Sequence, residues 1–163
     1  MGKIIQHSVR LHCPVHQAFA MFTDEQQLRT WLCAYAEVEP LVGGKYELFW
    51  DASFHPQEST SGCTITGIEP DKFLSFEWKG PGRFGHLLEQ ANPPTSVLVF
   101  FIPGDELFSV STDVYLVHTG WQSSAEWEEA RRWFERAWRE AFEELARQVN
   151  EELWSAKGQA SWS

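Results

Sequence analysis

Histidine is the side chain in this sequence that could run a reaction near neutral pH. His118 closes a stretch of alternating apolar residues, and because the pKa of histidine lies nearest neutrality it is the candidate general acid or base. Such a site would belong to a cyclase or hydrolase that acts inside a cavity. The sequence contains neither GxSxG nor HExxH, and no carboxylate partner for His118 is identifiable. A structural histidine in the core or at its rim is the other interpretation.

Metal and disulfide chemistry are not indicated. The cysteines are odd in number, far apart and without a CxxC pair; they are Cys13, Cys33 and Cys63. This pattern argues against a disulfide framework and against a structural zinc site. His12 and His16 are four residues apart, but Pro14 between them marks the junction of a strand and a helix. Because these two histidines do not share a helix, we expect no metal site and no cofactor.

Aromatic and aliphatic residues recur along several stretches and could line a pocket for an apolar or amphipathic small molecule. The candidate pocket residues are Tyr46, Leu48, Trp50, Phe76, Trp78, Val99, Phe101, Val114, Leu116, His118, Trp127, Phe134 and Trp138. Large rings can also pack into a solid core, and periodicity does not distinguish a filled core from a void. Ordinary core filling therefore stands as the alternative.

The energetics of such a pocket require a polar anchor. A ligand that buries about 300–400 Å² of apolar surface gains about 8–10 kcal/mol at about 25 cal/mol/Å². Association costs at least about 4 kcal/mol, which leaves binding in the range from millimolar to tens of micromolar. Selectivity then needs a polar group, and His118 is the candidate, together with Tyr46.

A protein-interaction module is the third hypothesis, with a chaperone or a second copy of the chain in a homodimer as the partner. Tryptophan is enriched at the energetic centres of interfaces, and Trp121, Trp154 and Trp162 are the candidate anchors. The alternative is that these side chains cap the core or lie in a frayed tail.

The charge balance argues against nucleic acid as a partner. Thirteen Lys and Arg against 23 Asp and Glu give a net charge of −10, which repels a phosphate backbone unless a local basic stripe exists. The arginines between positions 131 and 147 alternate with glutamates, in pairs such as Glu128 and Arg132 that support a helix at i,i+4. We interpret this segment as a solvated helix face.

Membrane association is not expected either. No apolar run approaches the roughly 18 residues that a membrane helix needs. The first residues, from Met1 to Gln6, lack the apolar core of a signal peptide. These observations predict a cytoplasmic location.

Alternation and turn signals predict the elements that would position these residues. A strand over Ile4–His12 is followed by a helix from Pro14 and by a second short helix with a Thr23–Gln26 capping box. Six further strands are predicted at Tyr35–Glu39, Lys45–Trp50, Cys63–Ile68, Phe73–Lys79, Val97–Ile102 and Val110–His118. Residues 80–95 are rich in Pro and Gly and are predicted to form the longest loop.

The C-terminal part predicts one long amphipathic helix. Ser123 and Glu126 form a capping box, and an apolar stripe runs from Trp127 to Leu153. Ala130, Ala137 and Ala141 beside bulky rings suggest close packing on a curved surface. An antiparallel sheet must cover its apolar face, and this helix is the only long element available. The prediction is an α+β domain over residues 1–154 with a flexible tail at 155–163.

The order of these motifs resembles a known family. The carriers are Pro14-Val15-x-x-Ala18-Phe19, Phe22-Thr23-Asp24, Leu28-x-x-Trp31, Glu39-Pro40, Gly43-Gly44-Lys45-Tyr46, Gly62 through Ile68-Glu69-Pro70, Leu74-x-Phe76-x-Trp78 and Val114-x-Leu116-x-His118-x-Gly120-Trp121. These motifs are similar to those of the activator-of-heat-shock-protein-90-ATPase-like domains. That family belongs to the START and pollen-allergen helix-grip superfamily. The resemblance implies a curved antiparallel sheet of six or seven strands around the C-terminal helix. It also implies a cavity between the two that commonly holds an apolar or amphipathic small molecule.

Overall fold

The elements of the fold follow the order that the sequence patterns predict. A computed structural model describes residues 3–51, 59–105 and 110–151. The strands are β1 (Ile5–Leu11), β2 (Tyr35–Val38), β3 (Tyr46–Phe49), β4 (Ile65–Glu69), β5 (Phe73–Trp78), β6 (Thr95–Pro103) and β7 (Thr112–Thr119). The helices are α1 (Val15–Thr23), α2 (Glu25–Trp31), α3 (Gly85–Glu89) and α4 (Ala125–Ala146), and a π-helical turn over Arg147–Glu151 continues α4.

The strands form a curved antiparallel sheet. Five of them pair in the order β1-β7-β6-β5-β4, and β2 and β3 form a separate two-stranded sheet. Isolated bridges from Lys45 to Thr64 and from Phe49 to Ser59 connect β3 to the chain that flanks β4. Through these bridges, the two sheets continue into one bent antiparallel surface of seven strands. The predicted α+β helix-grip class is confirmed.

The inner face of the sheet is set by strict alternation in its central strands. Val97, Val99 and Phe101 of β6 are buried, while their neighbours Ser96, Leu98 and Phe100 are more exposed. The partners of the three buried residues on β7 are His118, Leu116 and Val114, which are buried as well. Because side chains alternate between the two faces of a strand, this register gathers one apolar face.

Helix α4 lies across that inner face. The ring of Trp138 is 4.9 Å from that of Trp78 on β5, and the ring of Phe142 is 6.3 Å from that of His7 on β1. Beyond α4, Asn150 fixes the end of the helix by accepting from the His12 backbone N–H and donating to a neighbouring carbonyl. The helix is thus held against the edge strand β1 and against β5, three strands away.

Two helix caps lie one residue later than the capping-box patterns predict. Asp24 accepts from the backbone N–H groups of Gln26 and Gln27 at the start of α2, while the Thr23 hydroxyl donates to the carbonyl of Phe19. At the start of α4 the cap is Ser124, which accepts from the N–H of Trp127, rather than Ser123. Adjacent residues with equivalent capping chemistry make the sequence pattern ambiguous by one position.

Two further predictions need correction. Residues 80–95 are not a plain loop, because they contain α3, and Phe84 before it is buried. The basic face of α4 is not fully solvated: Arg131 is 8% exposed and pairs with Glu128 and Glu135, while Arg132 lies on the surface near Glu128. In the described part of the chain, no helix combines the length and apolarity that crossing a membrane requires.

The cap of α2 can be tested by substitution. Asp24→Ala removes the acceptor of two backbone N–H groups, so we expect the free energy of unfolding to fall by about 1 kcal/mol in urea denaturation. Thr23→Ala is the matched control, since its hydroxyl only donates within α1, and a smaller loss is expected. Equal losses for the two variants would contradict the assignment of Asp24 as the cap.

Candidate functional site

A partly open cavity of about 170 Å³ lies between α4 and the neighbouring ends of α2, β3 and β5. Its lining residues are Leu32, Trp50, Trp78, Pro81, Trp133, Phe134, Ala137, Trp138 and Ala141. All nine side chains are apolar, and four of them are tryptophans. Among the described residues, none with a formal charge lines this cavity.

The space exists because two small residues stand among large ones on α4. Trp133, Ala137 and Ala141 are spaced by four and so share one face of the helix. A methyl group at positions 137 and 141 leaves the volume that a larger side chain would fill. The close packing that the alanines suggested is found at Ala130, which is fully buried, whereas Ala137 and Ala141 border the cavity.

The aromatic walls meet at steep angles. The rings of Trp50 and Trp78 are 5.6 Å apart with planes at 75°, and those of Trp133 and Phe134 are 4.8 Å apart at 78°. Trp78 and Trp138 lie 4.9 Å apart at 46°. These distances and angles are those of edge-to-face and tilted aromatic pairs, which hold their rings in defined orientations.

The segment after β5 closes one side of the cavity. Pro81 lines it, and Gly82 has φ +90°, a conformation that glycine adopts without strain. A Cβ at Gly82 would lie 3.2 Å from the ring of Trp133. A side chain here would therefore press on the wall that Trp133 provides.

His118 lies behind these walls and connects them through three hydrogen bonds. Trp138 Nε1 donates to His118 Nδ1 over 3.1 Å. The Nε2 atom of His118 is 3.0 Å from the hydroxyl of Thr95, and that hydroxyl donates to the Trp78 carbonyl over 2.8 Å. Because an indole N–H can only donate, Nδ1 is the acceptor and the ring proton lies on Nε2.

Burial keeps His118 neutral. The side chain is fully buried, and desolvation lowers the pKa of His118 from 6.5 to about 3. With Nδ1 occupied by the Trp138 N–H and Nε2 bonded to Thr95, the ring has no lone pair free to accept a proton from a substrate. This geometry favours the structural interpretation of His118 over a general acid or base.

The structure brings four of the thirteen candidate pocket residues together at the cavity: Trp50, Trp78, Phe134 and Trp138. The other nine lie in the core without lining it: Tyr46, Leu48, Phe76, Val99, Phe101, Val114, Leu116, His118 and Trp127. Tyr46, the second candidate anchor, donates to the Phe22 carbonyl over 2.6 Å, and burial raises the pKa of its hydroxyl well above 10. A ligand role for these residues stays a prediction.

Sequence reasoning missed five lining residues: Leu32, Pro81, Trp133, Ala137 and Ala141. The spacing of Trp133, Ala137 and Ala141 was a readable signal, because it places two small side chains one and two turns beyond a large one. Leu32 and Pro81 carried no such signal, since only the folded chain brings the end of α2 and the segment after β5 to α4.

Cys13 and Cys63 are buried, and Cys33 is half-buried. Burial raises the pKa of the Cys13 thiol to about 11 and those of Cys33 and Cys63 to about 12, so these thiols are protonated at neutral pH. The candidate interface residue Trp121 is buried, and its Nε1 donates to the His118 carbonyl over 3.0 Å. Trp154, the second such candidate, lies with Trp162 and the predicted tail outside the described residues.

A comparison with protein families decides the classification. The family described as activator of Hsp90 ATPase homolog 1-like protein matches residues 12–150. The chain belongs to this family. A comparison with curated protein sequences finds no match.

Several solved structures have a fold similar to that of this family member. A protein from Mesorhizobium loti has a TM-score of 0.70 and 16% identity, over 91% of this chain and 98% of the other. The Aha1 dimer from Colwellia psychrerythraea has a TM-score of 0.63 and 13% identity, over 91% and 96%. An Hsp90 activator from Plasmodium falciparum has a TM-score of 0.52 and 21% identity, over 80% and 86%. At these identities the likeness shows the fold.

The neutral state of His118 predicts a pH dependence of stability. Its folded pKa lies below the unfolded value, so the stabilisation is fully present above pH 6.5 and is lost as the pH falls towards 3. We expect His118 to contribute at most about 1.4 kcal/mol per pH unit to the slope of the unfolding free energy in that window. Urea denaturation at a series of pH values measures this slope.

Two variants test whether His118 causes this slope. His118→Gln should flatten the slope by up to about 1.4 kcal/mol per pH unit, the contribution of one proton. Gln17→Ala, on the exposed face of α1, removes no ionisable group and should leave the slope unchanged. An unchanged slope in His118→Gln would contradict a buried, neutral histidine.

Proposed function

We propose that this family member binds a small apolar or amphipathic molecule in the cavity beside α4. The observation that carries the proposal is a space of about 170 Å³ walled by nine apolar side chains. An engineered apolar cavity of about 150 Å³ is large enough for benzene. The cavity therefore fits one ring or a compact group of similar size, and the rest of an amphipathic ligand would extend through the open side.

The polar anchor that the sequence suggested does not reach this space. The polar atoms of His118 and Tyr46 form hydrogen bonds with partners in the core. Trp78 Nε1 is buried without a hydrogen-bond partner among the described residues, and the side chain lines the cavity. Shape and the aromatic walls therefore supply most of the recognition in this proposal.

Interaction with a chaperone is the second candidate function. The family description and the relative from Plasmodium falciparum, an Hsp90 activator, favour it. The dimeric Aha1 from Colwellia psychrerythraea favours a homodimer as a related possibility. Both fit the expected cytoplasmic location. ATP hydrolysis by an Hsp90 with and without this protein, and sedimentation at micromolar concentration, separate these functions from ligand binding.

Filling the cavity tests the ligand-binding proposal. With indole or a comparable small aromatic compound at ten times its dissociation constant, we expect the melting temperature of the natural protein to rise by about 3–6 °C. Ala137→Leu places an isobutyl group in the space without weakening the helix, so this rise should disappear while the protein stays folded.

The control carries the same substitution outside the cavity. Ala125→Leu lies at the exposed start of α4 and should keep the full rise. If a panel of small aromatic and lipid-like compounds leaves the melting temperature of the natural protein unchanged, the proposal is wrong. It is also wrong if Ala137→Leu responds as strongly as Ala125→Leu.

A further inference from the structure

The tryptophans of the cavity are arranged as an aromatic cage. From this arrangement we infer that the group held in the cavity is a quaternary ammonium cation, an inference that rests on the proposed ligand binding. The walls are Trp50, Trp78, Trp133 and Trp138, with Phe134 beside them. Tryptophan gives the strongest attraction between a cation and an aromatic face, and cages of such rings recognise quaternary ammonium groups.

The ring geometry matches a cage rather than a stack. Trp50 and Trp78 meet at 75°, and Trp133 and Phe134 meet at 78°. At these centroid distances the two rings of a pair touch, so each pair forms a corner, and a compact group in the cavity beside it can contact both rings. Parallel rings in contact would instead present one flat face.

The hydrogen-bonding character of the lining selects among cations. Within residues 3–51, 59–105 and 110–151, no carboxylate, hydroxyl or amide side chain lines the cavity. A primary ammonium group would enter with three N–H donors and find no acceptor among these side chains, which is costly in a buried site. A quaternary ammonium group has no N–H donor, so it loses no hydrogen bond to the protein when its methyl groups fill the space.

The charge of the whole chain acts in the same direction. The net charge is −10, and none of the nine lining residues in the described part of the chain is a lysine or an arginine. A negative surface potential raises the local concentration of a cation near the opening and lowers that of an anion. The long-range field and the local rings therefore both favour a positively charged group over a neutral one of equal size.

A matched pair of small molecules tests the inference. Choline and its neutral carbon isostere, in which a tert-butyl group replaces the trimethylammonium group, have nearly the same shape. We expect choline to bind this protein roughly five to thirty times more tightly than the isostere, measured by calorimetry or by tryptophan fluorescence. The comparison cancels the shared apolar contribution and leaves the effect of the charge.

Two variants locate the preference in the cage. Trp50→Leu keeps an apolar wall but removes one aromatic face, so the preference for choline should fall. Leu32→Met replaces a non-aromatic wall by a side chain of nearly equal volume and should keep the preference, and the ratio of choline to isostere affinity cancels the volume that Trp50→Leu removes. Retention of the full preference in Trp50→Leu would overturn the role of the rings.

The outcomes separate this inference from the proposed function. If the isostere binds as tightly as choline, or if small aromatic compounds bind and choline does not, the cation inference is overturned while ligand binding stands. If neither member of the pair nor any compound of the aromatic panel binds, both proposals are overturned.

Discussion

The long helix and three neighbouring strands are tied together by the buried hydrogen bonds of one neutral histidine. Trp138 of α4 donates to His118 of β7, which bonds to Thr95 of β6, and Thr95 donates to the carbonyl of Trp78 at the end of β5. Each group is desolvated, so losing any partner leaves a buried donor or acceptor unsatisfied. The chain of bonds fixes the position of Trp138 and of the Trp78 backbone, and hence two walls of the cavity.

This arrangement explains why the histidine that looks most reactive in the sequence is a structural group. Its burial lowers its pKa, and its two nitrogens face partners that need it neutral. A protonated ring would turn an N–H towards the Trp138 N–H. His118 acts on the cavity through Trp138, which it orients, and through Thr95, which bonds to the Trp78 carbonyl.

The fold could be predicted from the sequence because its signals are local. Alternation along β6 and β7 and the stripe on α4 each lie within one element. They sufficed for the order of the elements along the chain and for the helix-grip class, but not for the pairing order within the sheet. The caps at Asp24 and Ser124 were misplaced by one residue because Thr23 and Ser123 offer the same chemistry.

The cavity was harder to predict, since it depends on distances between segments far apart in sequence. Trp50, Trp78, Phe134 and Trp138 were identifiable as large inward rings, but Tyr46 has the same sequence character and is packed solid in the core. What distinguishes them is the space beside Ala137 and Ala141, together with the approach of Leu32 and Pro81. The hydrogen-bond partners of His118 could not be predicted either, because no pattern in the sequence links Thr95 and Trp138 to it.

Family membership and the cavity bear on different questions. The family match and the solved relatives establish the fold, which can serve either a ligand or a protein partner. The apolar cavity is a property of this chain's own side chains and supports the ligand. The two proposed functions therefore rest on separate observations.

The most direct measurement is a proton–nitrogen correlation spectrum of the tryptophan indole N–H groups during titration with a small aromatic ligand. We expect the signals of Trp50, Trp78, Trp133 and Trp138 to shift, because these rings line the cavity. The signals of Trp31, whose N–H donates to the Met21 carbonyl, and of Trp127 near the start of α4 should stay in place, because neither side chain lines the cavity. Shifts confined to Trp31 and Trp127, or equal shifts at all positions, would contradict a ligand site beside α4.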